Sequence, residues 1–374
     1  MQGRASAHVL AAVVLAVAAS CVPTTQFDEP LLVDTPRVSR AEPPVAVDTE
    51  APSSEAPAVV LVVLDGVRWQ DAFVPENTPV LHRMLGERGA AIGAPVHGPV
   101  MSASGPAFVS LPGYSEIFTG RRAHGCADND CGRARTRTVF DEVAHLEGSP
   151  GAVAVFSSWE RIERAASPQP DAFVLSAGRS VRWHEEELVE DPAVAAVLEE
   201  GAKADAFPGY GDFRPDRMTS ALALQYLERR RPRLLYMGLG EPDEYAHRGD
   251  FPGYLASLRA ADAAIGAVFD TLDRMGERGK RTTVLVTTDH GRAVDWRHHG
   301  REMPESARVW LFAGGGGVSA RGLVHSVRSH RLSDVAPTVR ALLDMPSDAA
   351  PSAGAPIDEL LTPTSTALRV GSLR

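Results

Sequence analysis

Three things are scarce in this sequence, and each scarcity excludes a class of protein. Positive charge is short: 38 Lys and Arg stand against 48 Asp and Glu, for a formal net charge of -10. That balance argues against a chain held to nucleic acid or to an anionic membrane by bulk electrostatics. A membrane-spanning apolar run is missing at the N-terminus, where Val9 to Val17 is too short to cross a bilayer as a helix. Cysteine is limited to Cys21, Cys126 and Cys131. No further Cys or His stands near the last two at a suitable spacing, which disfavours a thiolate zinc cluster.

What is present is ordinary globular material. The 374 residues are 44% hydrophobic and 23% charged, enough for a large core. An acidic protein that binds anionic esters needs local positive charge, and bound metal ions would supply it.

The N-terminus reads as a targeting segment. Arg4 and His8 precede the Val9 to Val17 run, and Ala18-Ala19-Ser20-Cys21 follows it. This is the charged, apolar and small-residue order of a secretory signal. Cys21 directly after small residues resembles a bacterial lipoprotein signal, in which that Cys is lipidated and becomes the mature terminus. The expectation is therefore a signal over residues 1–21 and an exported protein, periplasmic or at the cell surface. A lipid on Cys21 would be its only tie to the membrane. Residues 22–57 are rich in Pro, Ala, Ser, Thr and acidic residues, and read as a disordered tether. In an oxidising compartment Cys126 and Cys131 can form a small disulfide. Between them Asp128-Asn129-Asp130 faintly resembles a calcium loop, but the downstream Glu is missing.

Order is expected to begin at Ala58, with AVVLVVL as a strand buried on both faces. Further strands are predicted over 151–156, 172–175, 233–239, 282–287 and 309–313. Helices are predicted from Pro79 to near Gly89, around 115–118, and over 218–229, 254–275 and 333–343, the last with Ser333 as N-cap. Residues from about 180 to 216 are charged and punctuated by Pro and Gly, and read as a cap insertion. Residues 349–374 read as a loose tail. Strands alternating with helices mean an α/β fold with a mainly parallel sheet, in one catalytic domain over 58–348. Ligands of such sheets gather at the carboxyl ends of the strands.

Several chemically capable residues stand at those ends. Asp65 closes the first strand. Asp243 and His247, four residues apart, share a face on a helical turn and can grip one ion. Asp289-His290 follows the TTVLVT strand, and His298-His299 supplies a late imidazole pair. Ser110 precedes Leu111-Pro112, with Ser102, Ser104 and Ser115 as competing hydroxyls. A serine hydroxyl is a weak nucleophile at neutral pH, and coordination to a cation activates it. Nitrogen ligands mixed with carboxylates favour Zn²⁺, while Mn²⁺, Fe or Mg²⁺ suit a carboxylate-richer half.

Taken in order, these residues resemble the alkaline phosphatase superfamily, and within it the nucleotide pyrophosphatase/phosphodiesterase-like, sulfatase-like branch. Leu64-Asp65-Gly66-Val67-Arg68-Trp69 is similar to that branch's first metal motif. Ser110-Leu111-Pro112 through Thr119-Gly120 is similar to its nucleophile segment, with Ser where the branch uses Thr. Pro242-Asp243-Glu244-Tyr245-Ala246-His247, Thr288-Asp289-His290-Gly291 and His299-Gly300 complete the set.

The resemblance implies an alkaline-phosphatase-like three-layer sandwich holding two divalent metal ions. One would be held by Asp243, His247 and His299, the other by Asp65, Asp289 and His290, with Ser110 bridging towards it. It implies a metal-dependent hydrolase of small-molecule phosphate-type esters that works through a phosphoseryl intermediate. The superfamily alternatives are a sulfatase, a phosphonate hydrolase or a phosphosugar mutase; a non-catalytic surface binding protein is the alternative outside catalysis. The formylglycine signature of sulfatases needs Arg where this chain has Tyr114. One residue after the Pro the branch carries Asn, and here Gly113 stands. The group that holds a non-bridging oxygen is thus left among a backbone N–H, Tyr114 and an arginine such as Arg121 or Arg122.

Overall fold

Seven apolar residues make Ala58–Leu64 (β1) a strand buried along its whole length. Its valines favour extended backbone through their branched Cβ atoms. Val59, Leu61 and Val63 enter one hydrophobic cluster, while Val60, Val62 and Leu64 enter another. That is the two-residue period of a strand serving two cores, and it places β1 in the middle of a three-layer stack.

The computed structural model describes residues 56–363 apart from 95–97, 99, 326, 327, 349 and 351. The signal segment, Cys21 and nearly all of the tether lie outside the described residues. Beside β1, the main sheet contains Gly89–Ile92 (β2), Val153–Ser157 (β3), Val174–Ala177 (β4), Val181–Trp183 (β5) and Leu234–Leu239 (β6). Thr282–Thr287 (β7), Leu311–Gly315 (β8) and Gly322–Leu323 (β9) complete it. The spatial order is β9-β2-β8-β7-β1-β6-β3-β4-β5. The five strands from β7 to β4 in that order run parallel to their neighbours. Antiparallel pairs occur towards the edges, where β8 joins β7 and β2, and β5 joins β4.

The helices that matter for the site are Ser110–Thr119 (α1), Asp216–Arg230 (α2), Glu241–His247 (α3), Phe251–Arg274 (α4) and Val335–Leu342 (α5). Asp65, α3 and Asp289 directly follow β1, β6 and β7 at the shared carboxyl edge of three adjacent parallel strands. The expected α/β sandwich with a mainly parallel sheet is therefore the observed one.

Four expectations need correction. The region from 180 to 216 is not simply a cap. Val181–Trp183 extends the sheet, and Leu188, Val194 and Leu198 join a sheet-covering core, because their apolar side chains recur at helical spacing. The predicted 309–313 strand is split: Arg308–Val309 pairs in a separate small sheet, and Leu311–Gly315 enters the main one. Ser333 does not cap the last helix. Its N–H bonds Glu116 Oε1 at 3.1 Å, and the helix begins after Asp334.

The loose tail, as far as it is described, is packed. Ile357, Leu360 and Leu361 are buried, and bridges join Arg121 to Ala353 and Val318 to Leu361. Three apolar residues in a polar stretch carried that signal.

Candidate active site

The turn after β1 sets the first ligand. Gly66 has φ of 60°, a left-handed conformation that glycine adopts without a Cβ penalty. Its N–H donates to Asp289 Oδ1 at 3.1 Å, tying the β1 turn to the β7 turn. Tyr114, on α1, donates its hydroxyl to Asp65 Oδ2 at 2.8 Å. Asp65, Asp289 and His290 are all buried, and their ligand atoms lie within 4.8 Å of one another. His290 Nε2 sits 3.5 Å from Asp65 Oδ1 and 3.4 Å from Asp289 Oδ2. Ser110 Oγ lies 3.5 Å from both Asp65 Oδ1 and His290 Nε2. Ser110 is the first residue of α1, and Val109 occupies the N-cap position.

Asp243, His247 and His299 form a second group with ligand atoms within 4.8 Å of one another. The first two are held by α3, whose opening N–H groups at Gly240 and Glu241 donate to the buried Asp216 carboxylate at 2.9 and 3.0 Å. His247 Nε2 lies 3.1 Å from Asp243 Oδ2 and 2.9 Å from His299 Nε2. The two groups adjoin: the His290 and His299 rings stack with centroids 4.0 Å apart. His298 turns outward to pair with Asp295, so His299 is the member of that pair in the site.

The donor set fits cations. His299 Nδ1 lies 2.9 Å from Phe108 O, and His290 Nδ1 lies 3.0 Å from Gly291 O. A carbonyl only accepts, so each Nδ1 carries the proton and each Nε2 presents a lone pair to the site. Asp289 Oδ2 is buried without a hydrogen-bond partner among the described residues. Burial pushes the Asp65 carboxyl well above its ordinary 3.8, with neighbouring Asp289 adding to the rise. Burial also raises Asp289. The same cause, followed by His290 and Arg292, holds His299 well below 6.5. Buried carboxylates beside imidazoles whose Nε2 atoms face them make a donor set that fits divalent cations.

A cavity of about 360 Å³ opens onto both groups, lined by Asp65, Ser110, Asp243 and His247, and also by Asn129, Trp159, Tyr210 and Phe213. Sequence reasoning missed these last four. Asn129 lies inside the Cys126–Cys131 disulfide loop, where the Cα atoms are 5.2 Å apart. Its Oδ1 accepts from Leu111 N at 2.9 Å, next to Ser110, and among the described residues its Nδ2 has no hydrogen-bond partner. The signal was available as an amide between two bridged cysteines, but the spacing alone suggested only a weak calcium loop.

Gly113 does not hold an oxygen-binding side chain, and none would fit. A Cβ there would lie 2.4 Å from the Asp289 carbonyl oxygen. Tyr114 is engaged by Asp65. Arg121 pairs with Asp348 at 2.6 Å, away from the site. Arg122 donates to Gly105 O at 3.1 Å and lines a neighbouring cavity.

Residues 59–294 match the family model for type I phosphodiesterase / nucleotide pyrophosphatase. The chain belongs to that family. Curated relatives include a 2,3-bisphosphoglycerate-independent phosphoglycerate mutase of Haloarcula marismortui, 26% identical over 128 residues, 33% of this chain and 21% of that one. A phosphopentomutase of Methylobacterium radiotolerans is 33% identical over 120 residues, 31% of this chain and 26% of that one. The chain thus spans only a fifth to a quarter of these mutases' length.

Among solved structures, wild-type alkaline phosphatase PafA superposes with a TM-score of 0.61 at 12% identity, over 82% of this chain and 99% of that one. A 2-O GAG sulfatase gives 0.55 at 13% identity, over 81% and 73%. These likenesses show the alkaline-phosphatase-like fold. The seven candidate residues of the sequence motifs fall in the two groups or, for Ser110, beside them.

Proposed function

We propose that this family member is an exported hydrolase of phosphate-type esters that uses Ser110 as its nucleophile. The two triads would each hold a divalent cation. Zn²⁺ is the ion best matched to their mixed nitrogen and oxygen donors. The observation that carries the reading is the convergence of both ligand groups and Ser110 on one cavity at the carboxyl edge of the sheet. Bound cations would favour the Ser110 alkoxide and offset charge on the entering and leaving oxygens.

Ser110 Oγ then attacks phosphorus, the ester oxygen leaves, and a phosphoseryl intermediate forms; water later releases phosphate from Ser110. Asn129 Nδ2 donates to a non-bridging oxygen. Trp159, Tyr210 and Phe213 form an aromatic wall suited to a flat or apolar leaving group. Tyr114, placed on Asp65, argues against a formylglycine sulfatase. The disulfide loop agrees with an oxidising destination, and a lipid on Cys21 remains part of the proposal.

Ser110→Ala should lower turnover of phosphate esters by at least about 10³-fold with unchanged metal content. Near-wild-type hydrolysis by that variant would sink the covalent mechanism. The curated relatives favour a second reading, in which the phosphoryl group returns to another hydroxyl of the same substrate. Inorganic phosphate released in step with substrate consumption excludes it.

A further inference from the structure

A single buried guanidinium touches three of the segments that carry the ligands. Arg292 is fully buried, two residues beyond His290. Its Nε donates to Gly66 O at 2.9 Å, beside Asp65. Its Nη1 donates to Arg297 O at 2.8 Å, two residues before His299. Its Nη2 donates to Asp243 O at 3.2 Å and pairs with Asp243 Oδ1. The fit is tight: a Cβ on Gly66 would lie 2.3 Å from Asp243 Oδ1 and 2.7 Å from Arg292 Nη2. Arg292 thus takes Asp243 Oδ1, which also lies 3.8 Å from His299 Nε2, and leaves Oδ2 to face His247 Nε2 at 3.1 Å. No other part of the described ligand set is bridged by one side chain in this way.

Resting on the reading of the triads as metal sites, we propose that Arg292 is a positioning residue for the Asp243–His247–His299 triad. It holds Asp243 as a one-oxygen ligand and keeps the three segments in register before a cation arrives. The physical basis is twofold. Three carboxylates, from Asp65, Asp243 and Asp289, share one buried region, and a fixed cation offsets their repulsion when no metal is present. A planar fork can also serve several acceptors at once, which a lysine ammonium cannot match in geometry. Partners that orient ligands from outside the coordination shell commonly govern metal affinity by about 10- to 100-fold. Arg292 bonds the Asp243 side chain directly but reaches the other triad only through Gly66 O and through charge, so its larger effect falls on the Asp243 triad.

The test is a Zn²⁺ titration of the chelator-treated full chain by calorimetry, with Asp243→Ala marking the step that belongs to this triad. In Arg292→Met that step should weaken by about 10- to 100-fold, clearly more than the Asp65–Asp289–His290 step does. Arg292→Lys, which keeps the charge without the fork, should lie between, and it replaces the Met variant if that one does not fold. Two wild-type steps with both affinities unchanged in the variant, or both lowered equally, overturn the inference. A wild-type chain that binds no cation overturns the metal reading itself and, with it, this role.

Discussion

At the scale of the residue, the site is decided by which atoms are already spoken for. Asn129 has its carbonyl oxygen committed to Leu111 N, so its amide nitrogen is left for a ligand oxygen. A donor of that kind, aimed at developing charge, commonly contributes about 10²- to 10³-fold to turnover. Asn129→Ala is expected to lower kcat/KM for phosphate esters by about 10²-fold without changing metal content. Unchanged kcat/KM would remove Asn129 from the mechanism. The candidate ligands and nucleophile were legible in the sequence because they stand in recognisable motifs, most of them beside a strand or helix end. Asn129 was not legible, because a loop residue announces no partner until the chain is folded. Arg292 escaped notice for a related reason: one arginine among many shows no sign of burial until four acceptors surround it.

At the scale of the element, legibility followed burial. β1, β6 and β7 read clearly because each is rich in apolar or β-branched residues and buried along its whole length. The short strands Gly89–Ile92 and Val181–Trp183 did not, since four and three residues carry little periodicity. The loop between Cys126 and Cys131 is an element in its own right, because its bridge presents Asn129 to the head of α1. Replacing both cysteines by serine is expected to cost about 2 kcal/mol of stability, as a closed loop this short implies. It should also reproduce part of the Asn129→Ala defect. Chemical denaturation and kinetics on the double variant check both, and full activity with lowered stability would separate the loop from catalysis.

At the scale of the whole molecule, the site is a charge problem that the fold leaves to a cation. Asp65 and Asp289 have raised carboxyl pKa values, chiefly through burial. At these two groups the metal-free fold binds more protons than the unfolded chain does. Their contribution to stability is fully present below the ordinary 3.8 of an Asp carboxyl and is lost as pH rises through the raised folded values. Cation binding must displace those protons. Two results are expected: Zn²⁺ uptake releases protons and strengthens with pH, and the thermal stabilisation it confers grows from pH 5 to 8. Titration calorimetry in buffers of different ionisation enthalpy, with paired unfolding scans, measures both. Uptake without proton release would contradict the raised carboxyls.

The contact at Gly113 reaches beyond this one chain. Because α1 lies against the Asp289 carbonyl with no room for a single added carbon, the residue at that position is a gauge of spacing. Any relative with a larger residue there must stand its nucleophile helix farther from its Asp-His turn. Sorting family sequences by that one letter would therefore sort them by the width of the gap between nucleophile and ligands.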